Sequence, residues 1–315
     1  SEDIQLQYWA KPPSQNIVVS NSEFSFNRRQ GITIAGANGV DIQNSVFHHI
    51  YGTAPQSGID IEGGVGMNGH PNQNIRIRGN RFYDNAAYDV ILYDGENVTV
   101  ENNYMASKGA VGVAVSRPFR TGALIKNNLF DGSRISVGSE SLFSGNTLRN
   151  GGVASFVGEG VIVDGMRFED ATLRLASAVP FGISVKNITM IHNHKEQSGL
   201  VVVGNPVRFE NVNIQGESLF RSLTGDAEGS IFENLTITNY SSLGLDLPSG
   251  TYNNCVFSST DTGNGSVVLN REGEYNFHHC QLKNNQRGLV INNEHAKVTV
   301  KDSTITTRGN TEAIY

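Results

Sequence analysis

The sequence is short of the features that mark most other fold classes. Two cysteines cannot supply a disulfide framework. Eight prolines and 17% charged residues fall well below what a disordered chain carries. No apolar run approaches the roughly 18 residues of a membrane span, so none is expected. Lys and Arg total 24 against 30 Asp and Glu, a net charge of −6. That balance leaves no basic excess to neutralise phosphates and excludes a general nucleic-acid partner. The chain opens on Ser1-Glu2-Asp3 with neither an initiator Met nor a signal peptide, which reads as a mature product or an excised fragment.

What the chain has instead is glycine, 35 of them, and a repeat. One recurring unit is a glycine followed by an alternating apolar strand. It appears as Gly31-Ile32-Thr33-Ile34, Gly58-Ile59-Asp60-Ile61, Gly112-Val113-Ala114-Val115, Gly199-Leu200-Val201-Val202, Gly244-Leu245-Asp246-Leu247 and Gly288-Leu289-Val290-Ile291. A second unit alternates with it and ends on a bulky apolar anchor. The thirteen anchors are Phe24, Phe47, Phe82, Met105, Phe130, Leu148, Phe168, Met190, Ile214, Ile237, Phe257, Leu282 and Ile305. They recur every 18–25 residues, except for one interval of 35. Short strands at a fixed period cannot bury their apolar side alone, whereas stacking the copies buries one continuous core.

Three positions before most anchors stands Asn or Gly, among them Asn21, Asn44, Gly79, Asn102, Asn127, Gly145 and Gly165. These residues tolerate left-handed backbone angles, so a tight bend is expected in every rung. One position later come Asn80, Asn103, Asn128 and Asn146, expected to stack as a buried amide ladder. Met166, Ile188, Val212 and Leu235 replace them downstream. Cys255 and Cys280 fall on the same position in consecutive rungs. Rungs lie about 4.8 Å apart, so the thiols are expected to be close, as a reduced pair or a disulfide. Parallel strands joined by crossovers take the right hand. The expected fold is therefore all-β, a right-handed parallel β-helix of about thirteen rungs, with residues 1–315 as a single domain.

The 35-residue interval directs attention to the second copy. Only there do both outward positions of the glycine strand carry carboxylates, Asp60 and Glu62. Long loops flank it, His48–Ser57 before and Glu62–Gln73 after. Stacking extends the expected outward wall to Asp89 and Tyr93, then to Arg117 and Arg120. His48, His49, Tyr51 and His70 lie on the loops. Paired carboxylates suit glycan chemistry, because one can be held protonated as the acid while the other stays ionised. The expected catalytic residues are Asp60, Glu62 and Asp89. His49, Tyr51, His70, Tyr93, Arg117 and Arg120 are the expected substrate contacts, with Phe119 as a further stacking ring. His192-Asn193-His194 and His278-His279 lack a third ligand at a fitting spacing, so no metal is expected. From Thr172 onward the loops are shorter, as in a scaffold or docking surface.

The coil repeat resembles bacterial and phage right-handed β-helix proteins: pectate-lyase-like enzymes, alginate epimerases and tailspike depolymerases. Arg117-Pro118-Phe119-Arg120 is similar to the arginine near a proline of the pectate-lyase-like enzymes, without their calcium-binding aspartate cluster. Tyr51-Gly52-Thr53-Ala54-Pro55 shares the start of the epimerase Tyr-Gly-x-Asp-Pro-His motif but not its Asp or His. The resemblance implies a carbohydrate-active hydrolase that depolymerises a bacterial surface polymer such as capsule, exopolysaccharide or teichoic acid. A polysaccharide lyase or uronate C5-epimerase, the lyase requiring calcium, is the second reading. A non-catalytic adhesin or phage fibre segment is the third. The implied protein is extracellular or virion-associated, binds an anionic polymer, needs no cofactor as a hydrolase and is compatible with a homotrimer.

Overall fold

The structure is a computed structural model that describes residues 12–63, 69–194, 199–217, 222–240, 244–259, 265–308 and 312–315. Every regular element among them is a strand. The chain divides into two compact units, Ser1–Leu148 and Arg149–Tyr315.

The first unit begins with β1 (Ser14–Ser20), β2 (Glu23–Ser25), β3 (Gln30–Ile34), β4 (Ala37–Gln43), β5 (Val46–His48) and β6 (Ser57–Ile61). It continues through β7 (Gln73–Arg78), β8 (Arg81–Tyr83), β9 (Tyr88–Leu92), β10 (Glu96–Glu101), β11 (Tyr104–Ala106) and β12 (Val111–Val115). Three consecutive strands make one coil. Each strand pairs in parallel with its equivalent one coil away, as in β1–β4–β7–β10, β2–β5–β8–β11 and β3–β6–β9–β12. The anchors stack in one register, Phe24 on Phe47 on Phe82 on Met105 on Phe130. Adjacent phenylalanine rings lie parallel at 4.9 and 5.0 Å, a spacing set by the strand separation.

The expected bends are present. Asn21, Asn44, Gly79, Asn102, Asn127 and Gly145 all have φ between 50° and 63°. Asn80, Asn103, Asn128 and Asn146 are buried beside them. In this ladder the Oδ1 of each member accepts from the backbone N and the Nδ2 of the preceding one at 2.8–3.1 Å. Each Nδ2 also donates to a strand carbonyl at 2.8–3.0 Å, for example Asn103 to Ile77. Ser45 continues the row, its backbone N donating to Asn80 Oδ1.

The second unit repeats the plan with an apolar ladder position. Long strands Ile183–His192, Arg208–Gly216 and Ser230–Thr238 pair in parallel, with Ile188, Val212 and Leu235 in register and buried. Their bend asparagines, Asn187, Asn211 and Asn234, again have positive φ. These form an exposed ladder of their own at 2.9–3.1 Å. Cys255 and Cys280 are buried and reduced. Of the Asn-x-Ser/Thr sequences, Asn97, Asn187, Asn234 and Asn239 are all bends with positive φ.

The buried ladder yields a stability test. Asn103→Leu strands the Asn80 amide groups and the Ile77 carbonyl, and is expected to cost about 3 kcal/mol. Asn213→Leu, on an exposed strand position, should change stability by less than about 0.5 kcal/mol. Urea unfolding of the two variants measures the difference, and equal midpoints would refute this register.

Candidate functional site

In β6, Ile59 and Ile61 are fully buried in the coil, which turns Asp60 and Glu62 to the other side. Asp60 lies in register between Thr33 of β3 and Ile91 of β9. The eight-residue loop between β5 and β6, residues 49–56, runs back along the turn that precedes β3. Tyr51 N donates to Asn27 O at 3.2 Å, Thr53 N to Arg28 O at 2.8 Å and Ser57 N to Arg29 O at 3.2 Å. This brings Ala54, Pro55 and Gln56 over the strand.

The result is a pocket of about 480 Å³. Asp60 and Ile91 form its floor, Glu62 and Arg29 one side, the Ala54–Gln56 loop another, and Ala87, Tyr88 and Tyr93 the third. Tyr93 is 49% exposed and Asp60 only 1%. Gln30 Nε2 lies 2.7 Å from Asp60 Oδ2 and 3.0 Å from Glu62 Oε1, so one nitrogen bridges both carboxyls. Arg29 places a guanidinium nitrogen 3.4 Å from the same Glu62 Oε1 and donates Nε to Ala54 O at 3.0 Å. Asp60 Oδ1 is buried and has no hydrogen-bond partner among the described residues. Burial pushes the Asp60 pKa up to about 6; the Gln30 bond opposes this and the Glu62 charge adds to it.

Three of the nine expected site residues, Asp60, Glu62 and Tyr93, therefore line one pocket. The others do not. Asp89 was expected on the outward wall and is instead fully buried. It stands opposite Gly58 and Gly112, where an added Cβ would come within 2.9 Å of the Phe82 ring and 2.7 Å of the Phe130 ring. The side chain at this position therefore faces the coil interior. Strand alternation breaks there, as the skip between Val111 and Val113 in the next pairing shows. Asp89 Oδ1 accepts from Asn85 Nδ2 and Ser107 Oγ, and Oδ2 has no hydrogen-bond partner.

His49 belongs to a separate cluster, stacked on Phe26 at 5.0 Å, with its Nδ1 2.7 Å from His48 Nδ1. His48 in turn stacks on Tyr83 at 4.6 Å and meets Glu23 at 3.0 Å. Tyr51 and Arg117 are exposed and His70 is half-buried, all outside the pocket lining. Arg120 reaches towards Asp94 at 4.0 Å, and Phe119 is buried, which removes it as a stacking surface. Residues 64–68 of the second long loop lie outside the described residues.

Arg29, Gln30 and Tyr88 are the residues that sequence reasoning missed. The signal was available: Gln30, Ser57 and Tyr88 share one register row. Extending the stacking towards the N-terminus as well as the C-terminus finds Gln30 and Tyr88, and Arg29 is the residue before Gln30.

Asp89 makes its own pH test. Burial raises its pKa from 3.8 to about 7. An acid that binds its proton more tightly in the fold stabilises fully below its unfolded pKa, and that stability is lost as pH rises through about 7. Asp89→Asn mimics the neutral acid. It should match the parent near pH 4 and exceed it at pH 8.5 by on the order of 3 kcal/mol. Thermal unfolding across that range decides it, and a constant offset would contradict the assignment.

Comparison with known proteins bears on the scaffold. A family model described as "Right handed beta helix region" matches residues 12–174, just over half of the chain. The Bacillus subtilis (strain 168) "Uncharacterized protein YclG" is 30% identical over 121 residues, which covers 37% of this chain and 20% of the relative. The chain thus aligns with about a fifth of the length of the curated relative it matches. No solved structure matches the chain. The parallel coil register and the family match agree: the chain belongs to the right-handed β-helix family.

Proposed function

We propose that the Asp60–Glu62 pocket is the acid–base site of a carbohydrate-active protein that hydrolyses a glycan. A bacterial surface polymer is the substrate class, met outside the cell or on a virion. The observation that carries this reading is the pair itself. One carboxyl is buried with its pKa raised to about 6, and a second stands beside it, bridged through a single nitrogen. A general acid working near neutral pH needs such a setting, and its partner must keep the charge.

Asp60, neutral, would protonate the glycosidic oxygen as the bond to the anomeric carbon breaks. Glu62, more exposed and paired with Arg29, would meet the positive charge that develops on that carbon. Water would then add, with ionised Asp60 taking its proton. A one-nitrogen bridge suits the retaining spacing of roughly 5–5.5 Å between carboxyls better than the inverting spacing of roughly 6.5–9.5 Å. Tyr93 and Tyr88 offer rings for the apolar faces of a sugar, and Arg29 favours an anionic one.

Incubation with a panel of bacterial surface polymers, reading chain length and ultraviolet absorbance together, tests this. Asp60→Asn and Glu62→Gln should each lower turnover at least about 100-fold. Tyr93→Ala should weaken binding about tenfold. Asp246→Asn, the equivalent repeat position in the second unit, should leave turnover unchanged. Products that absorb in the ultraviolet would assign a lyase instead. Binding without shortening would assign a non-catalytic adhesin.

A further inference from the structure

The two carboxyls of the pocket are held as a unit. A side-chain amide has two N–H groups, and Gln30 Nε2 reaches Asp60 Oδ2 and Glu62 Oε1, so one hydrogen serves each. Arg29 adds a second donor to Glu62 Oε1. Among the described residues Asp60 receives a donor on Oδ2 alone, and its Oδ1 is buried without a partner. Glu62 is also the more exposed of the two. Carboxylates this close repel, and such a pair takes up its first proton jointly. The proton settles where donors and water are fewer, and that carboxyl is Asp60.

The other groups around Asp60 do not compete for this role. Thr33 and Ile91, its neighbours in register, carry no charge. The remaining titratable groups of the pocket are Arg29 from the turn before β3, Glu62 beyond β6, and Tyr88 and Tyr93 on the β9 side. Asp89 of β9 is turned into the coil.

We propose that Gln30 is a positioning residue that clamps Asp60 and Glu62 through one amide nitrogen, holding the two carboxyls side by side and moderating the proton affinity that burial gives Asp60. The proposal rests on the acid–base reading of the pocket for its purpose, but its physical content does not need turnover.

Carboxyl-carbon NMR of the full chain labelled at Asp and Glu tests it, with the two signals identified by their loss in Asp60→Asn and Glu62→Gln. Asp60 should titrate near 6. In Glu62→Gln the Asp60 midpoint should fall, because the repelling charge is gone. In Gln30→Met it should rise by about one pH unit, because the carboxylate loses its donor. Gln30→Leu serves as the second variant if the first folds poorly. An Asp60 midpoint unchanged in both Gln30 variants, or one that falls, would overturn the proposal. If the signals behave as expected but no polymer is cleaved, the clamp stands and the hydrolase reading falls.

Discussion

Everything in this fold depends on the in-register stacking of one coil on the next. At a strand separation of about 4.8 Å, a side chain meets its own equivalent above and below before it meets anything else. A polar residue in the interior therefore has one dependable source of partners, another polar residue at the same position one coil away. The row Asn80–Asn103–Asn128–Asn146 exists on those terms, each amide completing the next. The phenylalanine row obeys the same geometry with rings in place of amides. On outward faces the register must separate like charges. Glu101 accordingly stands in register between Arg78 and Lys126, pairing with Lys126 and, diagonally, with Arg76, while Arg78 reaches diagonally to a two-pronged pair with Asp41.

The pocket appears where this rule is broken. Asp60 has Thr33 and Ile91 as its register neighbours, and neither compensates a carboxylate. Its one hydrogen-bond donor comes diagonally, from Gln30 at the start of the preceding coil's strand. The loop between β5 and β6 then covers the strand, because its backbone and that of Ser57 pair with residues 27–29 of the coil before it. Lost compensation and lost water act together, and both raise the proton affinity of Asp60. A scaffold built on repetition thus produces a chemically distinct carboxyl by omitting the repeat at one position.

The same logic explains what could be read in advance. The fold was legible almost residue by residue, since each bend requires Asn or Gly and each anchor must match its neighbour in size. Asp60, Glu62 and Tyr93 were legible because alternation holds from Ile59 to Glu62 and stacking carries it to the next coil. Asp89 was misplaced for a local reason: the first position of the glycine strand belongs to the turn, so its side chain points inward although the alternation pattern says outward. The arginines at 117 and 120 follow a turn that directs them elsewhere, which spacing alone does not reveal. Gln30 could have been found from the row it shares with Ser57 and Tyr88, whereas Arg29 lies in the turn, where only the backbone bonds show which coil the loop folds back against.

Asp60 and Asp89 together show why burial alone does not identify a functional acid. Desolvation is the largest cause of the raised pKa in both, and each has one carboxyl oxygen without a partner. Asp89, however, has both of its donors inside the coil, from Asn85 and Ser107, and no opening beside it. Its protonation can alter only the stability of the stack. Asp60 lines an open pocket, and a second carboxyl stands beside it, tied to it by a shared donor. A proton on Asp89 has nowhere to go, whereas a proton on Asp60 can be exchanged with whatever enters. The chemical difference between two equally buried aspartates is thus set by which side of the strand each one faces, and by one glutamine.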